Sequence, residues 1–377
     1  MSKRGNGEGS IYQRQKDGRW VGAVTLANGK RKAVYGATYQ QAKTKLREAQ
    51  RDQEHGLDLS QKPQTVARFL ADWLESTAKP TLRPKTHHSY AQMVRLHIVP
   101  AIGNVQLAKL TPQQVQRMMR DMSAKGLSPR TVQYTRSILR RALGYALKWS
   151  LVTRNVATLV DPPRSVRKPV QPLTGDQALA FLAYVKQHDD RLLPFFATAV
   201  LTGLRQAELL GLRWADVDLT AETLRVTHTL QRVDRRWQFV EPKTRRSART
   251  FSLPAPVVAA IRAQKDRQAF ERKLAGELWQ EWELVFTTLK GTPLEPSNLN
   301  GRLHKLLDGA GLPRQGMHGL RHCFASLLLA LGVAPRVVME LLGHAQISQT
   351  MDTYSHVMPA MLRDTADALG AAFAVAE

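Results

Sequence analysis

A proline-rich break constrains this chain more than any other feature. Residues 161–172 hold four prolines and three basic residues with few apolar ones. No helix or strand interior tolerates that density of fixed φ angles and missing N–H donors. The segments on its two sides therefore fold separately. A shorter polar break spans 56–62 and ends at Pro63. At 377 residues the chain is long enough for several cores, and the breaks place them at 1–60, 63–165 and 173–377.

The middle segment carries sixteen Lys/Arg against four Asp/Glu, a surplus of twelve and half of the chain's net +24. Helices are expected over 66–78, 86–99, 112–125 and 129–149. Thr111-Pro112 and Ser128-Pro129 each supply a capping residue followed by proline at the first helical position. A helical bundle so one-sided in charge repels itself when alone and is better explained by a phosphate backbone.

The first segment alternates as strands do: Ile11 and Tyr12, then Trp20, Val21, Ala23, Val24 and Leu26, then Ala33, Val34 and Tyr35. Asp17-Gly18 and Asn28-Gly29 mark hairpin turns between these runs. A helix over 38–55 follows, with Thr38 as its cap. Arg14, Lys16, Arg19, Lys30, Arg31 and Lys32 lie near the strands and turns, and a basic sheet face is one way to read a DNA groove. A solvated basic surface is the alternative.

From Leu173 the charge is nearer neutral and the pattern mixed. Helices are expected over 174–187, 191–201, 204–212, 255–274, 297–309, 318–331, 335–342 and 359–369, and strands over 223–232, 237–241 and 249–253. The fold class is thus mainly α with small β-sheets (α+β). It comprises an N-terminal three-stranded sheet plus helix, a helical bundle and a mixed α/β domain.

A sequence pI near 10.5 calls for a polyanionic partner, nucleic acid first, with ribosomal or membrane-surface binding as the bland readings. The one cysteine, Cys323, excludes an intrachain disulfide and reads as core packing. Residues 1–9 contain no apolar signal region, and no run approaches the roughly 18 apolar residues of a membrane span. The expectation is a cytoplasmic protein with no membrane partner.

The chemistry concentrates between His318 and Tyr354. The run His318-Gly319-Leu320-Arg321-His322 sets imidazole and guanidinium at i and i+3 on one helix face. Two cationic groups side by side make sense around an anion, and phosphate suits the planar fork of arginine. Leu342-Gly343-His344 and then Tyr354 come next in the chain. Upstream, Arg205 stands in the first turn of an expected helix with Glu208 at i+3 to orient it, and Lys243, Arg245 and Arg246 fall in an expected hairpin. His318, His322 and His344 could be read as zinc ligands. However, Gly319 stands where a metalloprotease motif has Glu, and Arg321 would repel the metal, so no metal is expected. His322 reads as a helix residue bonded to a neighbour.

Singly, each of these motifs is ordinary. In order, Arg205, Lys243, His318-x-x-Arg321, His344 and Tyr354 resemble the catalytic signature of the tyrosine recombinases, the phage integrase family. The resemblance covers 173–377 firmly. The middle segment looks like the family's helical core-binding (SAM-like) domain. The first 55 residues, more loosely, resemble the arm-binding domain of some integrases.

The resemblance implies a site-specific recombinase acting on double-stranded DNA, at attachment core and arm sites, through a covalent 3′-phosphotyrosine with a free 5′-hydroxyl. It needs neither metal, ATP nor other cofactor. Tyr354 would be the nucleophile, Arg205 and Arg321 the phosphate ligands, Lys243 the acid for the leaving oxygen, His318 the acid/base partner, and His344 a phosphate hydrogen bonder. It further implies a homo-tetramer on two sites and leaves room for a DNA-bending protein and a directionality factor; for the tail from Pro359 it leaves two readings, docking on a neighbouring protomer and packing on its own domain. A non-catalytic DNA-binding regulator and a type IB topoisomerase-like enzyme are the alternatives.

Overall fold

The computed structural model describes residues 10–26, 29–60, 62–164, 172–233, 236–241 and 248–343. The chain forms two compact units, Met1–Arg167 and Lys168–Glu377.

The first unit opens with β1 (Ser10–Gln13), β2 (Trp20–Thr25) and β3 (Arg31–Gly36), an antiparallel meander with β2 central. Helix α1 (Tyr39–Glu54), capped by the Thr38 hydroxyl, covers one face. Gly22 lies under it: a Cβ there would sit 3.1 Å from that of Leu46. The chain then crosses to the bundle, where the Asp58 N–H donates to the Ser150 carbonyl at 2.8 Å.

The bundle consists of α2 (Val66–Trp73), α3 (Pro84–Met93), α4 (Pro112–Ala124) and α5 (Pro129–Lys148) around Phe69, Leu70, Trp73, Ile98, Met118 and Ile138. Thr111 and Ser128 cap α4 and α5 as their sequence contexts predict. Within their expected spans helices α2 and α3 pass through π-helical turns, Leu74–Ala78 and Val94–Ile98, and then run on, over Lys79–Thr81 and Val99–Ile102, a few residues past their expected ends. Pro80 and Pro100 lie just beyond the π-helical turns. A proline ring clashes with the carbonyl four residues back, and a wider i→i−5 turn relieves that clash without ending the helix.

The second unit is built on α6 (Gly175–Gln187), α7 (Leu193–Thr202) and the five-residue α8 (Gln206–Leu210). Small strands come next: β4 (Val217–Asp218), β5 (Thr223–Val226), β6 (Thr229–Val233), β7 (Arg236–Val240) and β8 (Arg249–Ser252). The unit closes with α9 (Ala255–Ala275), α10 (Pro296–Gly309), α11 (Met317–Ala330) and α12 (Pro335–Leu342). Helix α7 is apolar all round and buried from Pro194 to Val200, with α6, α9 and α11 packed on it. Ala325 and Leu329 of α11 meet Val338 and Leu342 of α12 in a satellite cluster that fixes the end of α12.

Two strand expectations are corrected. The single strand 223–232 is two, because the Thr227 hydroxyl donates to the buried Asp216 carboxylate at 2.8 Å and diverts the chain. Strand β5 therefore pairs with β4 and β8, while β6 pairs with β7. Strands β7 and β8 thus lie in different sheets, and the stretch with Lys243 connects two sheets instead of closing a hairpin between its flanking strands. Among the described residues no helix is long and apolar enough to cross a membrane.

Candidate functional site

Arg205 is the N-cap of α8 and not part of its first turn, with extended backbone at φ −68° and ψ 148°. The Glu208 carboxylate, at the third helical position, accepts from the Arg205 backbone N–H at 2.9 Å and from its Nη1 at 2.8 Å. A carboxylate at a helix N-terminus gains from both the free N–H groups and the positive end of the helix. The motif therefore builds its own support: the residue that begins the helix is held by one that the helix presents.

Gly203, two residues earlier, closes α7 in the left-handed conformation at φ +61°. Its carbonyl accepts from Arg321 Nη1 at 2.8 Å, and a Cβ there would fall 2.3 Å from the Phe324 ring. Gly203→Ala therefore meets strain and a clash together. It should cost about 2–3 kcal/mol, read as a lower melting temperature in thermal denaturation.

Arg321 lies on α11 and is 2% exposed, with Nη2 donating to the Leu342 carbonyl. Arg205 Nη2 donates to the Gly343 carbonyl at 3.2 Å. A third arginine that the sequence reading passed over, Arg249 at the head of β8, donates from Nε to the Leu341 carbonyl at 2.8 Å. It also grips Glu208, with Nη2 to Oε2 at 3.0 Å and Nη1 to Oε1 at 3.3 Å. Gly343 caps α12 in the left-handed conformation, and its N–H returns to Glu340 and Met339. The remaining terminal carbonyls, Leu341, Leu342 and Gly343, are each taken by a different arginine. Terminal carbonyls carry the negative end of the helix dipole, so they suit guanidinium.

Strand alternation gives the face of Arg249 but not its partners. The arginine shares a face with Phe251, lies 5.8 Å from that ring, and so puts a charge where alternation expects an apolar residue.

His318 stands at the start of α11 beside these arginines, exposed at the rim. Partial desolvation, then the charges of Arg321 and Arg205, hold its imidazole below the ordinary value. His322 is set edge-on to it at 4.6 Å. Burial, His318 and Arg321 push it down to about 4. Both shifts favour the neutral ring, the form that can accept a proton. Glu208 is depressed as well: burial opposes its charge, but Arg249 and Arg205 outweigh that. Cys323 is buried, its thiol raised to about 11 by burial, and it takes no part in the site.

Of the expected site residues, Arg205, Glu208, His318, Arg321 and His322 are thus brought together. Lys243, Arg245, Arg246, His344 and Tyr354 lie outside the described residues, as do the expected 359–369 helix and the tail.

In the N-terminal sheet, Tyr12, Val21 and Tyr35 stand in one register row on the face away from α1, and Arg31 shares that face. Tyr12 is 53% and Tyr35 44% exposed. Arg14 pairs with Asp17 and lies 5.4 Å over the Tyr35 ring. Lys16, Arg19 and Lys30 are exposed at the turns. Lys32 points to the other face and donates to the Leu59 carbonyl at 2.6 Å. The two tyrosines were missed as surface groups, although strand parity with Gly22 as the covered row would have found them.

Comparison with known proteins agrees with this geometry. Residues 171–361, about half of the chain, match the phage integrase family, and 65–123 match the N-terminal SAM-like domain of phage integrases. An integrase of Streptomyces ambofaciens is 32% identical, over 93% of each chain. A XerC-like tyrosine recombinase of Caldanaerobacter subterraneus subsp. tengcongensis is 29% identical, over 95% of this chain and 98% of its own.

Among solved structures, the Tn1549 transposon integrase in complex with a circular intermediate DNA shares the fold at TM-score 0.68 and 20% identity. The match covers 80% of this chain and 99% of that one. A lambda integrase tetramer bound to a Holliday junction aligns at TM-score 0.56 and 18% identity, over 93% and 97%. Sequence order, fold and likeness together place the chain in the phage integrase family of tyrosine recombinases.

Proposed function

We propose that this chain integrates a phage or other mobile element, and can excise it, by cutting and rejoining duplex DNA at defined sites through Tyr354. The observation that carries this reading is the convergence of Arg205 and Arg321 on the Gly343 and Leu342 carbonyls, at the point where the chain enters His344, with His318 on the same helix as Arg321.

His318 takes the phenol proton, and the phenolate oxygen attacks phosphorus. The bond from phosphorus to the 5′ oxygen breaks, and Lys243 protonates the departing oxygen. Arg205 and Arg321 donate to the non-bridging oxygens, where charge grows in the transition state. His344 adds a further hydrogen bond. The 5′-hydroxyl of a second strand reverses these steps. The phosphate diester count is unchanged throughout, so neither ATP nor metal is consumed.

In this reading residues 173–377 hold the chemistry and 63–165 grip the core site. Residues 1–60 read arm-type DNA with the basic, tyrosine-bearing sheet face. Recombination requires four protomers on two sites, with a DNA-bending protein and a directionality factor as further partners. The setting is the cytoplasm.

A nicked suicide substrate carrying the attachment site, with EDTA present, tests the proposal. Wild type should leave an SDS-resistant protein–DNA adduct, and Tyr354→Phe should leave none while binding the same DNA equally well. Tight binding by wild type with no adduct would favour the regulator instead.

A further inference from the structure

Arg249 is 8% exposed along its side chain, and its guanidinium is turned into the protein. Two segments of the site meet on it. Through Nη1 and Nη2 it holds both oxygens of Glu208, the carboxylate that in turn fixes Arg205 at its backbone N–H and at Nη1. Through Nε it holds the Leu341 carbonyl, three residues before His344. In the chain it opens β8, six residues after Lys243. A carboxylate gripped only by Arg205 could swing with it, because Arg205 sits at the mouth of the site with 36% of its side chain exposed. A carboxylate held by a second, buried fork cannot. Planar bidentate pairing fixes orientation as well as distance.

We propose that Arg249 is a positioning residue of the recombination site. It sets the Arg205 guanidinium through Glu208, and it anchors the last turn of α12, at Leu341, to the same point. It does not touch the phosphate. This rests on the reading of Arg205 as a phosphate ligand.

The test uses the full chain and the nicked attachment-site substrate at saturating DNA, comparing Arg249→Lys, Arg249→Gln, Glu208→Gln and the Glu208→Gln/Arg249→Gln double variant. Arg205→Lys and Tyr354→Phe serve as controls, and each protein is assayed below its own melting temperature. Both Arg249 variants should slow single-turnover cleavage about 10- to 100-fold, the scale of a misplaced catalytic group. Lysine should fail to rescue, and DNA affinity should stay within about twofold, unlike the loss expected of a phosphate contact. Because Arg249 acts through Glu208, the double variant should be no slower than the slower single one, within about twofold.

Wild-type cleavage by both Arg249 variants would overturn the inference, and so would multiplicative losses in the double variant. A matching loss of DNA affinity would make Arg249 a DNA ligand and overturn it too. Loss of cleavage in the two controls keeps those outcomes specific to Arg249. Full cleavage by either control would overturn the underlying assignment of the site, and this inference with it.

Discussion

Replacing Glu208 by glutamine should lower the stability of the chain by about 3 kcal/mol at pH 7, and the deficit should shrink as the solution is acidified. The carboxylate side chain is 2% exposed and lies between two guanidiniums, one of them nearly as buried. Removing one member of a buried ion pair leaves the other charge without compensation and costs about 3–5 kcal/mol. Glutamine keeps the shape and one acceptor, so the lower end applies. For a unit of this size that corresponds to roughly 6–12 °C in melting temperature.

The pH dependence has a definite sign. The folded-state pKa of Glu208 lies below its unfolded value, since Arg249 and Arg205 outweigh the burial that opposes its charge. Its contribution is therefore complete above the unfolded pKa of about 4.3 and is lost as pH falls through the lower folded value. Wild type should lose this increment on going below about pH 4, while the glutamine variant has none to lose. Melting temperatures of both proteins from pH 7 to 3 give the result. A gap that stays constant across that range would show that Glu208 is not the charged partner of the two arginines.

The sequence disclosed what is local and withheld what is not. The caps at Thr111 and Ser128 act over three residues, so α4 and α5 could be placed from neighbouring letters. Arg205 with Glu208, and His318 with Arg321, are likewise i and i+3 pairs whose helical spacing is visible in the chain. Arg249 reaches Glu208 across 41 residues and Leu341 across 92. Nothing in local spacing encodes that contact, and a strand arginine ordinarily faces solvent. The break of one expected strand at Thr227 has the same origin, because its cause is a hydrogen bond to Asp216, eleven residues away. The π-helical turns were hidden for another reason. Proline predicts a helix end, and only the packing of Leu74, Ala78, Val94 and Ile98 into the bundle core makes continuation through a wider turn worth its cost.

Arg321 should prove the least replaceable of the described site residues, because it holds the fold and, in the proposed mechanism, also meets the phosphate. Its guanidinium is buried on α11 and joins the carbonyl that closes α7, Gly203, to one that ends α12, Leu342. One planar fork thus staples three helices, and both acceptors lie at helix carboxyl ends where positive charge is favoured. Arg321→Met keeps much of the stem but strands buried carbonyls at about 1–3 kcal/mol each, for an expected total of about 3–5 kcal/mol. Arg321→Lys keeps the charge, yet a single ammonium cannot reproduce the fork, so it should recover only part of that stability.

Cleavage separates the two roles. Assayed at a temperature where each variant is folded, both should cut the nicked substrate about 10²- to 10³-fold more slowly, the usual effect of losing a preorganised donor to a developing oxyanion. If the loss is electrostatic, it should be smaller on a substrate whose scissile phosphate carries a methyl group in place of one non-bridging oxygen, since that group has less charge to neutralise. A deficit of the same size on both substrates would mean that Arg321 serves the fold alone, and that the phosphate is met by other residues.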